Sequence, residues 1–439
     1  MSKRTLLTVA LCSSLWVCGT HAQERVITVD ELFELCDSCK STEIAFDALR
    51  QAAEGVKAAK GGLTPTLEAS LSASFNGDGY VIDRDFGGAM KAEIPHFGNS
   101  FVLKAMQVIY AGGAIDAGIK RARIGEKIAE KGVEMTRQNV RFAMLGNYLE
   151  LYKLSNVKAV YERNIEKSRL LLEQIRARHA EGVALASDVT RYELQLQRLG
   201  LAVSEINNAL ATINYRMTTT LGMPSSTIIV PDKSITEEPF REMGKSDWHA
   251  IGENSLGIQM ADLDLRMQKE RERAAKAERL PQIALVAENS FNGPITIEIP
   301  AINKNFNYWY VGVGVSYNFS SLWKANRKIR AERAGTIQAQ HKAELAREET
   351  DIAINSAFIA LQNSAEKVLT NEKSLELAKE NYEIINSRYN DGLALITEMV
   401  DASDEVLDAE VQLVNSRIDV VYNRYNLQYI SGTLDTRNK

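Results

Sequence analysis

The sequence predicts a mixed α/β protein in which short alternating strands and very long helices occur twice along one chain. Three observations support this prediction. Segments with apolar residues at every second position have the period of a β-strand. Two stretches, 114–181 and 322–390, contain no proline and are helical in composition throughout. One motif around a glycine recurs far along the chain, which indicates an internal repeat.

The first residues have the pattern of an export signal. Lys3 and Arg4 precede the apolar run 6–17, and a small-residue cleavage site follows at 20–22. We expect residues 1–22 to be a secretory signal peptide, because the apolar run is too short to span a bilayer. A retained membrane anchor is the alternative. Past this segment no apolar run reaches about 18 residues, so no transmembrane helix is predicted.

The composition and the residues that carry chemistry exclude several classes of function. The chain is acidic overall, with a formal net charge of −5, which argues against a nucleic-acid partner. Its five histidines form no motif with a nucleophile or with metal ligands. The pair Cys36 and Cys39 has no second ligand pair for a metal, and its redox and disulfide interpretations stay open. We expect no enzyme activity, no metal and no cofactor.

The recurring motif surrounds Gly182 and Gly392. Residues 178–189 read Arg-His-Ala-Glu-Gly-Val-Ala-Leu-Ala-Ser-Asp-Val, and residues 388–399 read Arg-Tyr-Asn-Asp-Gly-Leu-Ala-Leu-Ile-Thr-Glu-Met. The offset between the two glycines is 210 positions. The same offset aligns further residues: Arg178 with Arg388, Ala184 with Ala394, Asp188 with Glu398, Tyr215 with Tyr425, and Gly222 with Gly432. Several matches in one order indicate a duplication.

The duplication divides the chain into two halves of the same plan. We expect a first repeat at 23–222, a linker at 223–245 and a second repeat at 246–439. Each repeat begins with a helical stretch, 29–60 or 246–279, that ends before a proline. Two strands, one very long helix, a glycine turn and another long helix then follow in each half.

Apolar and polar residues alternate along the four predicted strands, as expected for a sheet with one apolar and one polar face. Alternation is clear at 67–75 and 309–319 and weaker at 100–110 and 282–291. Spans of about ten residues suit transmembrane β-strands, although an ordinary half-buried sheet has the same period. Trp309, Tyr317 and Phe319 would then face the membrane, and Tyr308 and Tyr310 would join an aromatic girdle. Four strands cannot close a barrel, since bacterial barrels begin at about eight, so several chains would share one.

The long helices require partners along their length. At about 1.5 Å per residue, 114–181 or 322–390 would extend roughly 100 Å, which indicates a coiled coil. The helices that follow carry apolar residues spaced by three and four: Leu196, Leu199, Val203, Ile206, Leu210, Ile213 and Met217, and Leu407, Val411, Val414, Ile418, Val421 and Tyr425. Segments 77–99 and 292–306 read as loops beyond the strands.

Together these features resemble the TolC family of outer-membrane efflux proteins over about residues 26–434. The tip motifs 178–189 and 388–402 carry most of the resemblance. It implies a homotrimer whose four strands per chain form one 12-stranded β-barrel, continued by an antiparallel α-helical coiled-coil barrel. It also implies an exit duct in the outer membrane of a Gram-negative bacterium, surrounded by outer-membrane lipid and extending through the periplasm. A periplasmic adaptor and an inner-membrane pump would be the partners.

The resemblance also assigns roles to residues at the two turns. It places Glu398 and Asp401 in an acidic ring at the pore constriction, and Tyr389, Asp188 and Arg178 among the contacts that close the gate. The segments that adaptor tips would contact are Gly182, Val183 and Ala184, and Gly392, Leu393 and Ala394. The family's gate uses an arginine where this chain has Ala394, so the resemblance does not assign the ion pair that latches the gate.

Each of these assignments has a purely structural alternative. Gly182 and Gly392 can be helix C-caps, and Asp188 can cap the next helix. Glu398 and Asp401 can be a solvated acidic first turn. For the whole chain, the competing functions are a periplasmic coiled-coil adaptor without a barrel, and a duct for protein secretion instead of multidrug export.

Overall fold

The computed structural model describes residues 23–236 and 243–434, so the predicted signal peptide lies outside the described part. The elements of the first half are β1 (Gln23–Ile27), α1 (Val29–Asp37), α2 (Lys40–Lys60), β2 (Thr66–Phe75), β3 (Gly79–Ile82), β4 (Ala89–Ala92), β5 (Phe97–Ala111), α3 (Ala114–Ala180) and α4 (Ala186–Thr220). Those that follow are β6 (Thr227–Pro231), α5 (Lys245–Gly252), α6 (Leu256–Ala277), β7 (Gln282–Gly293), β8 (Phe306–Ser316), α7 (Ser321–Asn390) and α8 (Ile396–Ser431).

The two longest predicted helices are confirmed almost to the residue. Helix α3 has 67 residues and α7 has 70, each without an internal break. The fold class, mixed α/β, is also confirmed. Among the described residues, no helix is long and apolar enough to cross a membrane.

The chain divides into two compact units. Within the described residues, the first unit comprises 23–40, 140–236 and 359–426, and the second comprises 41–139, 243–358 and 427–434. The first unit therefore contains both turns of the repeated motif, and the second contains the strands with alternating pattern.

The main sheet of the second unit has the strand order β2-β5-β7-β8, and all neighbours are antiparallel. Cross-strand partners point to the same face of a sheet. One face is apolar and exposed: Leu67, Leu71 and Phe75 of β2 are 74%, 81% and 83% exposed. The opposite face carries a polar row in register, Glu68, Lys104, Glu288 and Tyr310.

Two differences from the predicted strands have local causes. The alternation of β5 is imperfect because the pairing shifts between Val108 and Tyr110, which is a β-bulge. Strand β8 ends at Ser316, so Tyr317 and Phe319 lie beyond it. There the Asn318 side chain accepts a hydrogen bond from the Ser320 amide at 3.1 Å and starts the turn into α7.

The predicted aromatic girdle needs correction, because its members do not all lie on the same face of the sheet. Trp309 is 73% exposed and lies on the apolar face, opposite Asn289. Tyr308 and Tyr310 alternate to the polar face, where the Tyr310 hydroxyl donates to Glu288. The predicted loop 77–99 is also wrong in part, since β3 and β4 form a hairpin within it.

The predicted helix 29–60 is divided into α1 and α2 at Ser38 and Cys39. The amide of Ser38 bonds back to the Cys36 and Leu35 carbonyls, which closes α1. Burial, with smaller contributions from Cys39 and Asp37, raises the pKa of Cys36 to about 12. A thiol with such a pKa is a weak nucleophile, so the redox interpretation of the pair has no support.

A small parallel sheet of β1 and β6 completes the first unit. The buried Tyr148 of α3 joins both strands: its hydroxyl donates to the Ile27 carbonyl at 2.6 Å and accepts from the Asp232 amide at 2.8 Å. Arg141 of α3 forms a bidentate ion pair with Asp37, with nitrogen–oxygen distances of 2.8 Å. Strand β6 therefore gives part of the predicted linker 223–245 a definite structure.

Candidate functional site at the two helical hairpin tips

Two glycine turns connect the long helices of the first unit. Gly182 lies between α3 and α4 with φ +77°, and Gly392 lies between α7 and α8 with φ +74°. In this left-handed region glycine avoids the steric cost that a Cβ would bring. Both glycines are therefore C-caps, as the structural alternative predicted.

The hydrogen bonds of the two turns are equivalent. The Val183 amide bonds to the Arg178 carbonyl at 2.9 Å, and the Leu393 amide bonds to the Arg388 carbonyl at 2.7 Å. Each is the 6→1 hydrogen bond of a Schellman motif, which joins an amide to the carbonyl five residues earlier. Gly222 and Gly432, the second aligned pair, form the same motif, with amides of the next residues bonded to the Thr218 and Gln428 carbonyls at 2.8 Å.

Asp188 acts as the capping residue that the structural alternative predicted. Its Oδ2 accepts a hydrogen bond from the Leu185 amide at 3.2 Å and so stabilises the start of α4. The matching Glu398 at the start of α8 makes no such bond to the Leu395 amide within the described chain. The two aligned acids therefore differ in local role.

The two hairpins pack against each other through one apolar cluster. Its buried members come from all four helix ends: Leu172, Ile175, Tyr192, Tyr389, Ile396, Met399 and Val400. Met399 is fully buried, and Tyr389 is 6% exposed. Burial of this many large side chains would hold the hairpins together at the tip.

Three residues predicted to close the gate do meet at this cluster. The Arg178 guanidinium lies over the Tyr389 ring, 5.1 Å from its centroid. Arg178 also donates to the Asn390 carbonyl and side chain, both at 3.4 Å. Burial raises the pKa of Tyr389, the Asp188 charge raises it further, and Arg178 lowers it. These charges therefore act on one phenol that joins the two hairpins.

Glu398 and Asp401 lie on α8 next to this contact. They are three residues apart, so they share one helix face. Glu398 is partly exposed and Asp401 is exposed. Within one chain they are solvated acids, and only copies related by symmetry would form a ring from them.

Sequence reasoning missed a further acid, Asp404. The Gln195 amide of α4 donates to its carboxylate, which joins the two hairpins one turn beyond Asp401. Burial raises the pKa of Asp404, the neighbouring acids Asp408 and Asp401 add to this, and Gln195 and Arg198 oppose it. The position could be recognised only once α4 and α8 were known to face each other.

The raised pKa of Asp404 gives a pH-dependent prediction. An acid with a raised native pKa opposes folding above that pKa and ceases to do so below its ordinary value. We expect Asp404→Asn to raise the thermal midpoint at neutral pH, because Asn can still accept from Gln195. The gain should shrink towards about pH 4. Asp419→Asn, an exposed position on α8, is the control, and a loss of stability for Asp404→Asn at neutral pH would contradict the account.

Exposed aliphatic side chains surround both turns. Val183 and Leu185 are 66% and 69% exposed, and Leu393 and Leu395 are 69% and 68% exposed. The predicted adaptor segments contain Val183 and Leu393, whereas Leu185 and Leu395 were not among the predicted contacts. An open cleft of about 650 Å³ lies between the turns, lined in part by Ala184 and Ala394.

The described residues contain no group of three or more His, Cys, Asp or Glu side chains placed to hold a metal ion. A four-stranded sheet with an exposed apolar face and two paired helical hairpins are the features that the resemblance to outer-membrane efflux proteins predicts.

Residues 249–433 match the family model described as outer membrane efflux protein. The fold is similar to VceC from Vibrio cholerae, with 15% identity, a TM-score of 0.76, and coverage of 92% of this chain and 96% of VceC. It is also similar to the outer membrane channel CmeC of Campylobacter jejuni, with 14% identity, a TM-score of 0.74 and coverage of 93% and 87%. The open state of the outer membrane channel MtrE of Neisseria gonorrhoeae is similar as well, with 14% identity, a TM-score of 0.73, and coverage of 93% of this chain and 91% of MtrE.

A search of curated proteins gives no significant match. The structural similarities establish the fold, and the family model identifies the second half of the chain by sequence. The resemblance to the outer-membrane efflux proteins is thereby confirmed: residues 249–433 match that family's model, and the fold is that of these channels. The matched family is one of efflux proteins, which agrees with the expectation that the protein is not an enzyme.

Proposed function

We propose that the protein is the outer-membrane exit duct of a tripartite efflux or type I secretion system, and that it conducts its cargo passively. The exposed apolar face of the β2-β5-β7-β8 sheet is the observation that carries this proposal. On that face Leu71, Trp309 and Val313 are 81%, 73% and 65% exposed. A contiguous face of this kind on a soluble protein would cause aggregation, whereas lipid would cover it favourably.

The sheet also has the dimensions and polarity of a barrel segment. Its strands have 10, 15, 12 and 11 residues, and about 9 to 11 residues span the hydrocarbon core. The opposite face carries Glu68, Lys104 and Glu288, which suits a water-filled interior. Aromatic residues occur near both ends of the sheet: Phe75 on the apolar face at one end, and Tyr317 and Phe319, whose rings contact each other, just beyond β8 at the other.

The edges of the sheet support the shared barrel. Strands β2 and β8 each have one unpaired edge. Unpaired backbone N–H and C=O groups are unfavourable in the hydrocarbon core of a membrane, so these edges would need partner strands. The strand directions alternate, so β8 of one copy would run antiparallel to β2 of the next. In our proposal three copies close a 12-stranded barrel in the outer membrane, in contact with its lipid.

The equivalent geometry of the turns supports the duplication. The Schellman motifs at Gly182 and Gly392, and those at Gly222 and Gly432, recur at the offset of 210 found in the sequence. Repeats at 23–222 and 246–439, joined by 223–245, would each supply two strands and one long hairpin. Three chains would then continue the barrel as a ring of twelve helices through the periplasm.

The hairpin tips would form the inner end of the duct. Their exposed aliphatic residues, Val183, Leu185, Leu393 and Leu395, suit contact with a periplasmic adaptor, which in turn would connect to an inner-membrane pump. The contact between Arg178 and Tyr389 would belong to the closed gate. Energy for transport would come from the pump.

Cell fractionation followed by bilayer recording tests the duct against the periplasmic adaptor. A duct should require detergent for extraction from outer membranes and should produce discrete conductance steps in planar bilayers. An adaptor without a barrel should purify from the periplasm without detergent, and that result would exclude the duct.

The acidic pair of α8 gives a prediction about ion response. Glu398→Gln with Asp401→Asn should reduce the cation-to-anion permeability ratio by about severalfold and weaken block by divalent cations, because a threefold ring of carboxylates attracts cations. The control is Glu405→Gln with Asp408→Asn, the same change of charge on exposed positions of α8. Equal responses of both double variants would show that the ring does not exist.

A further inference from the structure

Basic residues are concentrated where the helices of the second unit join its main sheet. Gln282 pairs with both Ala111 and Ser316, and Thr66 pairs with Met106 at the same end of the sheet. Helices α2 and α6 therefore end, and α3 and α7 begin, at one end of the sheet. The ten-residue segments that lead into or out of this end are 51–60, 114–123, 270–279 and 321–330.

The charge of these four segments differs from that of the rest of the chain. They contain thirteen Lys and Arg but five Asp and Glu, whereas the whole chain has a formal net charge of −5. At the opposite end of the sheet, 76–96 and 294–305 connect the strands and contain three Lys and Arg and five Asp and Glu. Positive charge is thus confined to the helical end, which indicates a negatively charged neighbour there.

The Lys and Arg side chains of the four segments, called here the basic band, are all exposed. Some are neutralised within the chain: Arg273 forms an ion pair with Asp116 at 2.9 Å, and Lys328 forms one with Glu278. Others form no ion pair among residues 23–236 and 243–434, and these include Arg121, Arg123, Lys324, Arg327 and Arg330. Their charges are available to an external anion.

Apolar side chains accompany the basic band at the start of α7. Phe319 and Trp323 are 70% and 62% exposed. Trp323, Arg327 and Arg330 are separated by four and three residues, so they share one helix face. An exposed tryptophan beside Lys and Arg is typical of a membrane interface, where the ring lies at the level of the headgroups and the cations bind phosphates. The band also adjoins the sheet whose apolar face is exposed.

We propose that the basic band binds the phosphate groups of anionic phospholipids in the periplasmic leaflet of the outer membrane, with Trp323 at the boundary between headgroups and acyl chains. The choice of leaflet rests on the proposed function, because helices of roughly 100 Å would extend from this end into the periplasm. Each Lys or Arg near an anionic membrane surface raises affinity by a factor of about five. The band thereby fixes the depth of the sheet in the bilayer. An acidic protein would use these charges, but it would leave Phe319 and Trp323 beside the apolar face unexplained.

Lipid retention by the detergent-solubilised full chain tests the band without requiring channel activity. Native mass spectrometry measures the binding of phosphatidylglycerol and, separately, of phosphatidylcholine with the same acyl chains. Since only the first lipid has a net negative charge, we expect it to bind at least about tenfold more tightly. The preference should decrease as the salt concentration rises.

Three exposed positions of α7 make the test specific. Lys324→Gln with Arg327→Gln and Arg330→Gln should reduce the preference for phosphatidylglycerol at least about tenfold, because three positive charges are lost. Lys324→Arg with Arg327→Lys and Arg330→Lys retains the charges and should retain the preference. This second triple variant separates a loss of charge from a loss of local structure.

The matched control removes the same charge further along α7. Lys342→Gln with Lys367→Gln and Lys373→Gln changes three exposed positions outside the basic band and should bind lipid as the wild type does. Equal binding of the two lipids by the wild type, or equal losses in the control and the band variant, would overturn the proposal. Either result would leave the duct intact if the protein still required detergent and conducted ions, whereas a chain soluble without detergent would contradict the proposed function itself.

Discussion

We expect Leu71→Arg to remove most of the assembled protein from the outer membrane, and Ser72→Arg to leave it there. Leu71 is in the middle of β2, is 81% exposed and faces the apolar side, opposite Phe101. An arginine at the lipid face near the bilayer midplane costs about 2 to 4 kcal/mol. Each copy would bear this cost, so the amount of assembled oligomer should fall at least about tenfold.

Ser72 is the matched control because it is the next residue of the same strand. Successive side chains of a strand point to opposite faces, so Arg at 72 would face the proposed aqueous interior beside Ser100. Quantitative immunoblots of outer-membrane fractions, with unheated samples to preserve oligomers, compare the two variants. If both assemble equally, the apolar face of the sheet does not contact lipid.

Tyr389→Ala should open the gate, while Tyr389→Phe should not. Tyr389 is buried among both hairpins and lies under the Arg178 guanidinium. Removing a large aromatic side chain from a packed cluster costs about 3 to 5 kcal/mol. If even half of this free energy stabilises the contact between the hairpins, its loss would shift a closed–open equilibrium by a factor of about ten or more.

The measurement is the fraction of time that single channels spend closed at low voltage, with the two variants in the same buffer. Tyr389→Phe keeps the ring and the contact with Arg178, so its closed fraction should remain near that of the wild type. Arg178→Met should have an intermediate effect. A Tyr389→Ala channel that stays as closed as the wild type would show that this contact does not hold the gate.

The sequence was most informative where one pattern extends over many residues. Helices α3 and α7 were predicted from the absence of proline over nearly seventy positions, and the structure begins and ends them within one residue of the prediction. The turns at Gly182 and Gly392 could be predicted because a left-handed backbone conformation after a helix favours glycine, and because the same motif surrounds both glycines.

Features that depend on distant pairs could not be predicted. The parallel pairing of β1 with β6 joins residues about two hundred positions apart, and neither strand is long enough to have a clear period. The bond between Gln195 and Asp404 arises only when the two hairpins pack together. In β8 the alternation of apolar residues continues to Phe319, but Asn318 ends the strand earlier by starting a turn.

The central claim is that several copies of this chain close one barrel, and the mass of the detergent-extracted protein tests it most directly. Native mass spectrometry of protein extracted from outer membranes should give a single species of three chains. A monomer, or a species that remains soluble and monodisperse without detergent, would contradict the account.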